Sequence, residues 1–324
     1  MKPKILVIAA IPKTGLAELE KKCELIYPTR NFMFSDEEIK KHIQLADGVL
    51  SVFTQPLTSE MMDGAKKLRI IANFGVGYNN IDVSKANEMG VVVCNTPNAV
   101  TEPTAEMAFG LLLSLTRKIA LTDRGLRTNP NFKWGMMENL GIGIFGKTVG
   151  IVGMGRIGQA FARRAIASGM NVIYFNRTRL TDEIEIKYSC QRVSFEDLLE
   201  RSDVVSLHCP LTDETHHLLN EAAMIRMKLG AIVLNTARGP IVDEKMLVKY
   251  LQNGKLGGAG LDVFEAEPFI TPELLALDNV VLTPHNATGT IDTRIEIARE
   301  AAENILRFFD HRKDISIVNP VVWE

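Results

Sequence analysis

An excess of charge of either sign is missing from this chain: 37 Lys and Arg stand against 39 Asp and Glu, a formal net charge of −2. Without clustered Lys and Arg there is no face for a phosphate backbone, so general nucleic-acid binding is not expected. Cysteine is sparse. Cys23, Cys94, Cys190 and Cys209 lie far apart and form no CxxC pair, which argues against a disulfide framework or a zinc site and for a reducing cytoplasm. His216 and His217 are adjacent, a spacing at which side chains point apart, and only Asp213 and Glu214 stand near them; no metal is expected. No apolar run nears the roughly 18 residues needed to span a bilayer. The run Ile5–Ile11 is short, ends at Pro12 and has no small-residue cleavage site, so it reads as a first β-strand and not as a leader. Low-complexity segments and short-period repeats are absent as well.

What is present is an ordinary globular composition, 46% hydrophobic and 23% charged over 324 residues, enough for about two domains. Apolar runs alternate with helix-period segments, the pattern of parallel α/β units. The first block reads "KILVIAA", a helix near 12–22, "ELIY", a helix opened by a Ser35/Glu38 capping box, "GVLSV", a helix near 59–66, "RIIANF", a helix from Asp82 and "VVVCN". A helical stretch follows, with Thr101 as its expected cap, Pro103 in the first turn and a second helix over 119–127. The second block reads "KTVGIVG", a helix over 156–168, "NVIYF", a helix capped by Ser194, "VVSLHC", a helix from Asn220, "AIVLNT", a helix from Asp243, "GAGLDVF" and "VVLTP". A last helix is expected over 290–309. The fold class is α/β, with two Rossmann-like, doubly wound parallel-sheet domains and a cleft between them.

The turn "GMGRIG", Gly153–Met154–Gly155–Arg156–Ile157–Gly158, follows the strand "TVGIV" and opens a helix. That is the context a dinucleotide fingerprint requires: glycines for the tight turn and the close approach of the pyrophosphate, and helix N–H groups for its charge. About twenty residues on, such a site normally offers an Asp or Glu to the ribose 2′-hydroxyl of NAD. The acid is missing. Asn176, Arg177 and Thr178 stand there, followed by Arg179. Asn176 removes a repulsion and Arg177 can grip a phosphate, so the reading is NADP(H) in preference to NAD(H), with NAD(H) left open. The bland alternative is that the arginines are solvated loop charges.

Open α/β sheets bind their ligands beyond the carboxyl ends of the strands. Arg238 follows "AIVLNTA", Glu267 follows "GLDVF" and His285 follows "VVLTP". A guanidinium can hold a carboxylate and polarise a carbonyl, an imidazolium can donate a proton, and a carboxylate beside it favours its charged form. Each residue alone is more often a cap, a loop charge or a turn residue. Together they suit reduction of a 2-oxo acid.

The chain also resembles the D-isomer-specific 2-hydroxyacid dehydrogenase family over essentially its whole length, through "NFGVGYNNIDV", "TEPTAEMAFGLLLS", "GKTVGIVGMGRIGQAFARRA", "LHCPLTDETHHLLN", "LNTARGPIVDE", "GAGLDVFEAEP" and "TPHNATGT". Its glyoxylate/hydroxypyruvate and 2-ketogluconate reductases are the nearest in pattern. The resemblance implies Arg238, Glu267 and His285 as the catalytic set. It implies Asp262 at the nicotinamide carboxamide, and Thr104, Cys209, Pro210, Thr236 and Ala237 along the cofactor, with Arg238 and His285 bordering it. Ser51, Val76 and Gly77 are implied at the substrate with Arg238 and His285. It further implies a discontinuous substrate domain, 1–99 plus 289–324, around a dinucleotide domain over 100–288, and a helical arm that makes a homodimer, with Trp134 near the partner's site. The substrate-side segments "LSVFTQPLT" and "NFGVGYNN" hold no Arg or Lys, so a small unphosphorylated 2-oxo acid is expected. An NAD-dependent D-lactate-type dehydrogenase and a non-enzymatic, dinucleotide-sensing corepressor stay as rivals.

Overall fold

A computed structural model describes residues 2–29 and 32–323. The chain divides into two units, residues 1–100 with 288–324, and residues 101–287.

The first unit carries five parallel strands: β1 (Lys4–Val7), β2 (Glu24–Ile26), β3 (Gly48–Val52), β4 (Ile70–Phe74) and β5 (Val92–Cys94). Their order is β2-β1-β3-β4-β5, so the winding reverses between β1 and β3. β3 and β4 are buried at every residue, as strands covered on both faces must be, and their near-continuous apolar runs follow from that. The helix Ile291–Phe309 returns from the far end of the chain and places Ile297, Ala298, Ala301 and Ile305 in the same core. Behind it the tail closes the edge of β5. Val318 N–H donates to Val93 O at 2.8 Å. Asn319, almost fully buried, accepts from Val93 N at 2.7 Å and donates to Val91 O at 2.9 Å and to Asn87 Oδ1 at 2.7 Å. An amide side chain thus does there what another strand would do, and the edge is not left open.

The second unit carries seven parallel strands: β6 (Thr148–Val152), β7 (Asn171–Phe175), β8 (Cys190–Arg192), β9 (Val204–Leu207), β10 (Ala231–Asn235), β11 (Leu256–Leu261) and β12 (Val280–Leu282). Their order is β12-β11-β10-β9-β6-β7-β8. This is the dinucleotide-fold order with one strand added, reversing between β6 and β9. Ala231 and Val233 join one apolar cluster and Ile232 and Leu234 another, the two-residue period of a strand covered on both sides.

The foreseen caps at Ser35 and Ser194 accept the expected backbone N–H groups, and Glu38 completes the capping box; Asn220, Asp243 and Thr290, read as the starts of their helices, cap them in the same way. Three local readings differ. β8 and the helix Asp182–Lys187 were not foreseen. The helix read over 59–66 stops at Met62, since Gly64 takes φ +76° and turns the chain away. Thr101 is the first helical residue of Thr101–Thr116, not its cap.

Replacing Asn319 by Ala strands the Val93 N–H and the Val91 C=O in a buried edge. We expect a loss of about 1–3 kcal/mol in urea unfolding, and an unchanged midpoint would show that the tail adds nothing to this sheet.

Candidate active site

At the switch point of the second sheet, β6 runs into Gly153, which takes φ +95°. A Cβ on Gly153 would stand 2.5 Å from Cys209 N and 2.7 Å from His208 C, so only glycine lets the turn after β6 touch the chain after β9. A Cβ on Gly158 would meet Gly153 O at 2.3 Å, whereas one on Gly155 meets nothing within 4 Å. The helix Arg156–Ala167 begins with no side chain capping it, which leaves its first N–H groups for an anion. Beneath the turn, His208 sits against Phe161 with Ser206 Oγ at 2.8 Å; burial pushes its imidazole down to about 3, so it stands neutral. Asn176 Oδ1 accepts the Met154 N–H at 2.7 Å, bracing the turn and leaving its NH2 group as a donor. Arg177 and Thr178 are exposed. Arg179 is committed elsewhere, 2.6 Å from Glu185 and 3.2 Å from Asp182.

Further along the same edge, Asn235 ends β10 and is buried. It accepts from Ala237 N at 3.0 Å and donates to Arg238 O at 2.9 Å, folding Thr236–Arg238 into a fixed turn. Thr236 is nearly buried and its Oγ1 has no hydrogen-bond partner among the described residues, an orphan that a bound ligand would satisfy. With the uncapped helix, the touching glycine turn and this hydroxyl, the residues present fit a dinucleotide. Cys209 is half-buried, its thiol pushed up to about 11 by burial. Thr104 is almost fully buried and Pro210 exposed.

The Arg238 turn is set against the loop that carries Glu267. A Cβ on Gly239 would fall 1.9 Å from both Phe264 C and Phe264 O, so the two backbones are in direct contact. Glu267 Oε1 accepts the Phe264 N–H at 2.9 Å, and Glu267 Oε2 lies 2.8 Å from His285 Nδ1. Burial pushes the Glu267 carboxyl up, but the His285 ring, the Phe264 amide and the Arg238 charge outweigh it and hold it below its ordinary value. Arg238 is half-buried; burial lowers its pKa against the pull of Glu267, and a guanidinium stays charged regardless.

His285 takes φ +48°. Asp262 holds it there. The Asp262 carbonyl accepts the His285 N–H at 2.7 Å, and its fully buried carboxylate accepts from Thr283 Oγ1 at 2.6 Å, Asn286 N at 2.8 Å and Ala287 N at 2.9 Å. Burial raises the Asp262 pKa despite these donors. Within this structure Asp262 therefore positions the catalytic turn, and Asn286 contributes its backbone to that arrangement.

A second histidine–glutamate pair supports the loop from behind. His217 Nε2 lies 2.7 Å from Glu265 Oε1, Glu265 Oε2 accepts from Glu244 N at 3.1 Å, and Glu244 Oε2 accepts from Glu265 N at 3.0 Å. His216 and His217 do not point apart as their adjacency predicts. His217 takes φ +48°, and the rings stack with centroids 4.2 Å apart. Asn235, Gly239, Glu244 and Glu265 were not singled out from sequence; only their place beside Arg238 and Glu267 in "LNTARGPIVDE" and "DVFEAEP" hinted at them.

In the first unit, Val76 and Gly77 form a half-buried loop after β4. Asn95 Nδ2 donates to Val76 O at 2.8 Å and Asn73 Nδ2 to Gly77 O at 2.7 Å. Ser51 is fully buried and its hydroxyl donates to Asn73 Oδ1 at 2.9 Å, so it supports the loop and shows no face to a substrate. A cation does stand beside the segments that lack one in sequence: the Arg294 guanidinium lies 5.5 Å from the Phe53 ring and 5.7 Å from the Phe74 ring.

A dinucleotide turn with an Arg, a His and a Glu gathered at neighbouring strand ends defines a nicotinamide-dependent dehydrogenase. Residues 109–287 match the D-isomer specific 2-hydroxyacid dehydrogenase, NAD binding domain, and the chain belongs to that family. It is 44% identical over 311 residues to a glyoxylate reductase of Korarchaeum cryptofilum, covering 95% of this chain and 93% of the relative. Among solved structures, a glyoxylate reductase from Paecilomyes thermophila superposes with a TM-score of 0.87 at 32% identity, covering 98% of each chain. An NADPH-dependent glyoxylate/hydroxypyruvate reductase from Sinorhizobium meliloti, in complex with NADP and malonate, gives 0.87 at 31% identity, covering 99% of this chain and 98% of that one.

Since nothing larger than hydrogen fits at Gly239, Gly239→Ala should push the Arg238 turn off the Glu267 loop. Steady-state kinetics should then lose about a hundredfold in kcat/KM, the scale of an ångström's misplacement. Wild-type kinetics in a folded variant would refute the backbone contact as the element that aligns the set.

Proposed function

We propose that this protein reduces small unphosphorylated 2-oxo acids to D-2-hydroxy acids with NADPH in preference to NADH. Glyoxylate and hydroxypyruvate are the leading substrates and 2-ketogluconate a larger candidate. The observation that carries the reading is the 2.8 Å bond between His285 Nδ1 and Glu267 Oε2, beside a half-buried Arg238. The names of the relatives support the substrate class. Asn176 and Arg177 support the cofactor preference, because an acid at that position would repel a 2′-phosphate.

A reduced nicotinamide, when bound, would supply the hydride for the substrate's carbonyl carbon. Arg238 binds the substrate carboxylate and polarises the carbonyl, and its fork matches a carboxylate in a way a lysine cannot. As negative charge builds on the carbonyl oxygen, the protonated His285 donates its proton to that oxygen through Nε2, since Nδ1 faces Glu267. Glu267 fixes the ring's orientation throughout.

We also infer a homodimer. The helix Ile119–Thr128 buries none of its residues, and Trp134, Met136, Met137 and Phe145 are each more than three-quarters exposed. So much apolar surface in one stretch is uncommon on a monomer.

Loss of NADPH absorbance should follow addition of glyoxylate or hydroxypyruvate and be weaker with NADH; no turnover on any 2-oxo acid, with dinucleotide binding intact, would favour a sensor instead. In Glu267→Gln kcat should drop by about ten- to a hundredfold, the low end of acid–base contributions, and an unchanged kcat would remove Glu267 from its role beside His285. Sedimentation equilibrium should give twice the chain mass, and the pair of substitutions Trp134→Asp and Met136→Asp should halve it. A wild-type monomer would end the dimer reading.

A further inference from the structure

The edge strand β8 brings a residue to the cofactor end of the sheet that the glycine fingerprint does not include. β8 pairs with β7 in parallel, with Arg192 in register with Tyr174, so Arg192 ends its strand at the edge where β7 runs into Asn176 and Arg177. Its guanidinium donates from Nε to Asn176 O at 3.2 Å, and from Nη2 to Asn176 O at 3.0 Å and Arg177 O at 3.1 Å. These bonds hold the backbone of both residues that replace the usual acid. The N–H groups on Nη1 enter none of them.

We propose that Arg192 determines cofactor specificity, fixing the Asn176–Arg177 backbone and adding a second guanidinium where the 2′-phosphate of NADPH binds. Three features carry this. The strand register brings the side chain to the correct edge. The two carbonyls it holds belong to the residues that meet the ribose. Arg179, the other arginine of this loop, is paired with Glu185 and Asp182 and leaves the pocket short of the second cation that a dianionic phosphate favours. The inference rests on the NADPH preference proposed above.

The test compares wild type, Arg177→Met, Arg192→Met and Arg192→Lys. Calorimetry measures binding of adenosine 2′,5′-bisphosphate against 5′-AMP, and kinetics measure KM for NADPH against NADH. In Arg192→Met the bisphosphate should weaken at least about tenfold more than AMP, the scale of one charge-assisted hydrogen bond, and KM for NADPH should rise by a similar factor relative to NADH. Arg192→Lys keeps the charge but not the fork, and should fall between wild type and Arg192→Met. It also serves if the methionine variant does not fold. Equal weakening of both ligands, or no change, overturns the proposal and makes Arg192 a loop brace only. If Arg177→Met abolishes the preference and both Arg192 variants keep it, Arg192 loses its role while the NADPH reading stands. If wild type does not discriminate between the two ligands, the NADPH reading fails first and this inference with it.

Discussion

At two places along the second sheet's carboxyl edge, backbone touches backbone with no side chain between. Gly153 meets the chain after Leu207, and Gly239 meets Phe264. The first contact shapes the cofactor turn; the second joins the arginine's turn to the glutamate's loop. A methyl group at either point would overlap backbone atoms that no rotamer change can move, and a close-packed interior passes such strain on to its neighbours. The site's geometry thus depends less on the charged side chains gathered there than on the missing Cβ atoms that let their loops meet.

His285 shows what else that geometry needs. A non-glycine residue at φ +48° sits in a sparsely populated region and costs of order 1–3 kcal/mol unless its surroundings hold it. Here Asp262 does most of the holding, with Thr283 O sharing the His285 N–H at 3.0 Å. Asp262 supplies its carbonyl to the His285 N–H and both carboxylate oxygens to Thr283, Asn286 and Ala287. With the turn held by Asp262 and the ring by Glu267, His285 is preorganised in both backbone and side chain.

Much of this was legible in sequence because it is local. Strand ends, caps and the glycine turn are written within a few residues, and Arg238, Glu267 and His285 each come a few residues after an apolar run. What stayed hidden depends on distant partners. Gly239 in sequence is one glycine before a proline; its meaning is Phe264, far along the chain. β8 is three residues, "CQR", with one buried side chain and no alternation long enough to read. Ser51 looked available to a substrate because nothing local shows that Asn73 already takes its hydroxyl. The segments around Phe53 and Phe74 looked free of cations because Arg294 arrives from the last helix.

The charges that follow β7 show the same limit. Counting along "NRTR" yields two arginines for one phosphate. The fold redistributes them. Glu185, its carboxyl held down to about 2 by hydrogen bonds from Arg179 and Tyr174, neutralises Arg179. Arg177 keeps its exposure but shares its field with Glu214, whose pKa is lowered first by the Thr212 hydroxyl and its own amide and then by Arg177. Arg192, sixteen residues beyond Asn176, contributes a guanidinium to the same two carbonyls. The local count of two survives, but one of the two is a different residue, and an acid from a separate loop opposes them. The charge at this corner of the sheet is therefore set by three strand ends together, because the field at one point is the sum over all charges near it and chain distance does not enter that sum.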